Sequence, residues 1–109
     1  MNLFLAATGR VYVVSASSSS SVQELIWWDY SGNQYPPLTT TITGNNSNDI
    51  FIAGYYSSIR HFNGQNWANI SPEIEGETIW SKITAIEDLV VVVGMTGSYQ
   101  AIIARGHHQ

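Results

Sequence analysis

A segment that ends in glycine returns in this chain after about forty residues, and that spacing constrains the fold more than any other feature. Asn48-Asp49-Ile50-Phe51-Ile52-Ala53-Gly54 is echoed by Glu87-Asp88-Leu89-Val90-Val91-Val92-Val93-Gly94. Asp49 and Asp88 lie 39 positions apart, Gly54 and Gly94 lie 40 apart. A second segment, Phe62-Asn63-Gly64-Gln65-Asn66-Trp67, has a looser counterpart in Tyr30-Ser31-Gly32-Asn33-Gln34-Tyr35. Short runs of β-branched and aromatic residues between turn signals read as strands. In an all-β chain a period of about 40 residues predicts four-stranded propeller blades.

The strands of each unit, a to d from the axis outward, fall in a repeated order. Unit one, residues 1–38, has Leu3–Ala7, Val11–Ser15, Gln23–Asp29 and a weak Gln34–Leu38. Unit two, 39–77, has Thr39–Thr43, Asp49–Ala53, Ser58–Phe62 and Asn66–Ile70. Unit three, 78–109, has Thr78–Ile86, Leu89–Gly94 and Gln100–Arg105, and its fourth strand is missing. Only Ile79, Ile83 and Ile86 approach helical spacing, and the β-branched residues around them favour a strand. Asn63-Gly64 and Ser31-Gly32 supply the positive φ of a tight c-to-d hairpin. Trp67 and Tyr35, just beyond, are expected to pack strand d onto the next blade. Pro36-Pro37 and Ser71-Pro72 fall in outer crossings, where no ladder donor is needed. The unbroken apolar run Leu89–Val93 predicts a strand buried on both faces between blades. The serine tract Ser15-Ala16-Ser17-Ser18-Ser19-Ser20-Ser21 reads as a solvated loop; the rival reading is a rim over a binding site.

Composition narrows the function classes. Charged residues make up 11% of the chain, under half of the usual ~25%. The net charge is −4, and Arg10, Arg60, Lys82 and Arg105 are the fixed cations. That set forms no basic patch to neutralise phosphates, so a nucleic-acid partner is not expected. No segment reaches the ~20 apolar residues of a membrane span, and Met1–Ala7 lacks the positive start of a secretion signal. Without cysteine there is no disulfide framework and no thiolate metal site.

Catalytic signals are weak. His61 falls mid-strand and reads as a packing or rim residue. His107 and His108 are neighbours, so on a strand their side chains point oppositely and share no metal. No serine has a base and carboxylate motif around it. Glu73, Glu75 and Glu77 alternate and read as a solvated acidic crossing; a weak Ca²⁺ site or a glycosidase pair has no supporting motif. Asp29, Asp49 and Asp88 read as turn carboxylates, the last two at corresponding positions before strand b. The aromatics are better ligand candidates. Trp27 and Trp28 are consecutive, so one faces out of the blade stack, and Tyr55-Tyr56 splits across a b-to-c turn.

The chain resembles bacterial propeller repeats whose units read Asn-Asp-Val-Phe-Ala-Val-Gly followed by an Ile-x-x-Tyr/Phe-Asp/Asn-Gly-x-x-Trp hairpin. Asn48–Gly54 and Ile59-Arg60-His61-Phe62-Asn63-Gly64-Gln65-Asn66-Trp67 carry the likeness, which implies the fold and no particular activity. Unit one also looks like a blade of the small fucose-binding propeller lectins, through Arg10-Val11-Tyr12, Glu24 and Trp27-Trp28-Asp29. In that family an Arg and a Glu bond sugar hydroxyls while a Trp stacks on the sugar ring, and short chains trimerise into six blades. Units two and three lack the Arg and the Glu, and an extra residue separates Trp27 from the Asp-x-x-Gly turn.

These readings converge on an all-β chain of three blade-like meanders, the last incomplete, with a small β-sandwich or barrel as the alternative. Three blades cannot close a ring, so the chain is expected to self-associate, most simply as a two-fold dimer of six blades. A non-enzymatic, cofactor-free binding module follows, with carbohydrate as ligand at Arg10, Glu24, Trp27, Trp28 and Tyr56. A protein-interaction scaffold is the competing function.

Overall fold

A computed structural model describes residues 2–7, 9–15, 22–26, 38–72 and 77–107. These residues form ten strands and no helix. The strands are β1 (Asn2–Ala7), β2 (Arg10–Ser15), β3 (Val22–Ile26), β4 (Thr39–Asn46), β5 (Asp49–Gly54), β6 (Ile59–Phe62), β7 (Trp67–Asn69), β8 (Thr78–Ile86), β9 (Leu89–Thr96) and β10 (Ala101–His107). They make three antiparallel meanders, β1-β2-β3, β4-β5-β6-β7 and β8-β9-β10. The expected strand d of unit one, the Pro36-Pro37 crossing and the part of strand c beyond Ile26 lie outside the described residues, as does most of the serine tract.

Turn chemistry sets these meanders. Gly64 takes φ 103° in the β6–β7 hairpin, and the Asn63 side-chain oxygen accepts the amides of Gln65 and Asn66, each at 2.9 Å. Side chains that pair across strands share a face, so the register assigns every residue to one side of its sheet. Phe51, Ala53 and Ile59 of the second sheet meet Trp80, Ile83, Val90 and Val92 of the third in one core. On its other face Ile50, Ile52 and Phe62 meet Val11 and Val13 of the first sheet in a second core.

β4 and β8 run side by side in the same direction. The hydroxyl of Thr40, the extra residue of a bulge, bonds the Trp80 carbonyl, and the Ile83 amide donates to Thr41 Oγ1 at 3.2 Å. Further along, Asn45 Nδ2 donates to the Glu87 carbonyl at 3.0 Å. The glycine that closes the repeated segment has a packing cause. A Cβ on Gly54 would collide with the Leu38 carbonyl, and one on Gly94 with the Ile79 carbonyl, so strand b lies too close to the backbone of its neighbour for a side chain.

Three details differ from the sequence reading. Asp49 opens β5, whereas Asp88 lies in the turn before β9, where Leu89 is the opening residue. The correspondence therefore runs at 40 throughout strand b, and the two aspartates are not equivalent. Trp67 packs on Phe62, ring centroids 5.1 Å apart, in the core shared with the first sheet, so it faces the preceding sheet instead of the next. In β9, Val90 and Val92 are buried but Leu89 and Val91 are half-buried and Val93 is 36% exposed. The run is buried on one face only, because among the described residues nothing packs on the outer side of the third sheet.

The two intersheet contacts are made differently. Counting from the first residue of strand b, Val11 and Val13 occupy the places of Ile50 and Ile52, and of Val90 and Val92. The second and third sheets meet through opposite faces, Phe51 and Ala53 against Val90 and Val92, as stacked repeats do. The first and second meet through corresponding faces, Val11 and Val13 against Ile50 and Ile52, as the layers of a sandwich do.

Candidate functional site

Three features have functional chemistry. The first is on the outer face of the first sheet. Arg10 opens β2 opposite Ile26, and Glu24 sits in β3 opposite Tyr12, so the two are diagonal neighbours on one face. Arg10 Nη1 lies 3.4 Å from Glu24 Oε1, and their side chains are 45% and 42% exposed. An ion pair this open to water contributes about 0–1 kcal/mol. It does present guanidinium donors beside carboxylate acceptors, the combination that receives adjacent hydroxyls of a polyol. Tyr12 is on the same face, with Leu3, Leu5 and Val22 exposed around it.

Of the remaining candidates, Tyr56 is on a different sheet. It occupies the β5–β6 turn at φ 56°, is 66% exposed and stands edge-on to Tyr55 at 6.5 Å. The structure thus brings Arg10 and Glu24 together and puts Tyr56 elsewhere. Trp27 and Trp28 lie outside the described residues, as do Glu73, Glu75 and His108. Glu77 is exposed, and its carbonyl accepts the Gly97 amide at 2.7 Å.

The second feature is a half-buried polar cluster that the sequence reading divided. His61 Nε2 lies 2.6 Å from Asp49 Oδ1, both side chains being 18% exposed. The imidazole stacks on Phe51 at 4.3 Å. Asn45 Nδ2 donates to Asp49 Oδ2 at 2.7 Å and also reaches the Glu87 carbonyl. Asp49 therefore binds side chains of β4 and β6, and the cluster fastens the second sheet to the turn before β9. The Asp–His link could have been read from register alone, since His61 pairs with Phe51 two places from Asp49. On the opposite face of β6, burial pushes the Arg60 guanidinium below its ordinary value.

The third feature is a cleft of about 130 Å³ between the second and third sheets. Phe51, Ile59, Ile70, Pro72, Val90, Val92, Ala104, Arg105 and Gly106 line it. It exists because Ala104 and Gly106, successive residues on the inner face of β10, are too small to fill the space. Small residues at alternate places in a strand were the available signal, and the sequence reading passed over them.

Among the described residues no three His, Asp or Glu side chains are grouped to hold a metal ion, and no helix is long and apolar enough to cross a membrane. Compared with family models, curated proteins and solved structures, the chain matches none.

Proposed function

We propose that this chain is a non-enzymatic binding module made of propeller-type blades, that it self-associates, and that it binds carbohydrate at Arg10 and Glu24. The observation that carries the ligand is the pair itself: opposite charges side by side on an exposed sheet face next to an aromatic ring, contributing little to stability. A sugar offers hydroxyls that accept from Arg10 and donate to Glu24 and an apolar ring face for an aromatic side chain. The blade reading is supported by the stacking of the second sheet on the third through opposite faces. A glycan array tests the ligand. Binding of a defined monosaccharide that Arg10→Ala and Glu24→Gln each reduce at least tenfold, with unchanged folding, supports the reading. An empty array, or variants that bind as the parent does, refutes it.

A protein-interaction scaffold is the second reading, and the outer sheet faces favour it. Leu3, Leu5 and Val22 on one side, and Ile79, Ile86, Met95 and Ile103 on the other, are between 39% and 66% exposed or, for Ile103, 71%. Contiguous apolar faces of this kind mark interaction surfaces. Self-association, most simply of two chains giving six blades, is the part of the proposal that covers the apolar part of each face, with Arg10 and Glu24 left at the rim between blades. Pull-downs separate the readings: glycoproteins released by a monosaccharide support the first, and one defined protein that sugars never elute supports the second.

A further inference from the structure

β10 is the edge strand of the third sheet, and among the described residues it pairs with β9 alone. Every second residue of β10 therefore points its N–H and C=O away from the sheet, a row of groups that a further strand would satisfy. In the second sheet the same side of β6 is filled by β7. Directly beside the bare edge opens the apolar cleft between the two sheets. Its volume approaches that of the ~150 Å³ cavities that accept a benzene-sized apolar group. Ala104 and Gly106 line the cleft and Ile102 packs on the core beside it, the three pairing across β9 with the inner-face residues Val92, Val90 and Gly94. By register Ile103 and Arg105, the latter also bordering the cleft, belong to the outer side that carries Lys82.

We infer that the β10 edge is a strand-addition site for an extended segment of another polypeptide, whose apolar side chains enter the cleft at alternate positions and whose intervening side chains include an acid opposite Arg105. Backbone bonding to the edge supplies the affinity, and the cleft supplies the choice of side chain. The acid is specified because both cations of the third sheet, Lys82 and Arg105, are on its outer face, and opposite charges directly across strands attract. Arg105 also disfavours a second copy of β10 in the register that would set two arginines opposite each other. This site shares no residue with Arg10 and Glu24, so it stands or falls apart from the sugar reading.

The test uses the full chain and the peptide acetyl-Val-Glu-Val-Thr-Val-amide, which in antiparallel register sets Glu opposite Arg105 and valines opposite Ile102, Ala104 and Gly106. Titration is expected to give a dissociation constant of about 0.1–1 mM, with slowed amide exchange confined to β10. Gly106→Leu is the informative variant, because a Cβ there meets no atom within 4 Å, so the protein folds while the new side chain occupies the cleft. It is expected to weaken binding about tenfold or more, the loss of one buried aliphatic side chain. Arg105→Glu is expected to weaken the peptide about two- to fivefold and to prefer a version with Lys in place of Glu. A peptide with proline in place of its threonine, opposite Ile103, lacks a donor to the edge and is expected not to bind. The inference is overturned if the first peptide shows no binding at 5 mM, if Gly106→Leu binds it unchanged, if the proline peptide binds as well, or if protection appears away from β10.

Discussion

β5 and β9 are counterparts in successive sheets, yet they live in different surroundings. Ile50, Phe51, Ile52, Ala53 and Gly54 are all buried, with one sheet packed on each face. In β9 only Val90 and Val92 reach that state, and the side chains between them look outward. Both strands are nearly unbroken apolar runs, so composition does not explain the difference. Position in the stack does: the second sheet is in the middle and the third is at an end. A strand with the sequence of a middle strand at the end of a stack has one apolar face too many, and water contact there costs about 25 cal/mol per Å² relative to burial. That surplus is the physical argument for a covering partner.

The largest effects should come from the doubly covered strand. Ile52→Ala is expected to destabilise by about 2–5 kcal/mol, since a buried aliphatic side chain is deleted between two packed sheets. Ile103→Ala, at an end face, should cost less than about 0.5 kcal/mol in the isolated chain and act on association instead. Urea unfolding at low protein concentration measures both. Equal costs at the two sites would break the contrast between middle and end.

Gly94→Ala sharpens it from another direction. The added methyl would overlap the backbone of β8, so a loss of about 1–3 kcal/mol is expected in urea although the new residue is apolar. Polar contacts divide in the same manner. Asp49→Ala removes a carboxylate bonded to His61 and Asn45 in a half-buried site, and about 1.5–3 kcal/mol should be lost. Thr78→Val is expected to gain about 1 kcal/mol, because the buried Thr78 hydroxyl has no hydrogen-bond partner among the described residues. Thermal melts of the two variants should move in opposite directions; a destabilised Thr78→Val would mean that its hydroxyl is satisfied after all.

Much of the fold was legible because strand and turn signals alternate cleanly. Thr78–Ile86 was read with the observed limits, and most other described strands to within two or three residues, since β-branched runs end at Asn63-Gly64, Glu87-Asp88 or Tyr55-Tyr56. The burial of β9 was not legible, because periodicity within a strand does not report what lies beyond its sheet. Nor was the turning-over of the first sheet, which depends on which face of Val11-Tyr12-Val13-Val14 meets its neighbour. Asp88 was misaligned because an Asp-Leu pair looks like Asp-Ile whether the Asp is in the turn or the strand. At the candidate site the sequence joined Arg10 to Glu24 through a lectin-like pattern, and the register does set them diagonally on one face. It also joined Tyr56, which the fold assigns to another sheet, and it passed over the cleft, which arises from two small side chains of β10.

The covering of the end faces is the central claim, and the mass of the chain in solution tests it most directly. Light scattering at micromolar concentration, run beside a circular-dichroism spectrum that confirms the folded β signal, is expected to give at least twice the 12.0 kDa of one chain. Ile103→Glu is expected to shift that species toward the single chain, because it puts a charge on the third sheet's bare face. A well-folded protein that remains at 12.0 kDa throughout the concentration range would contradict the account.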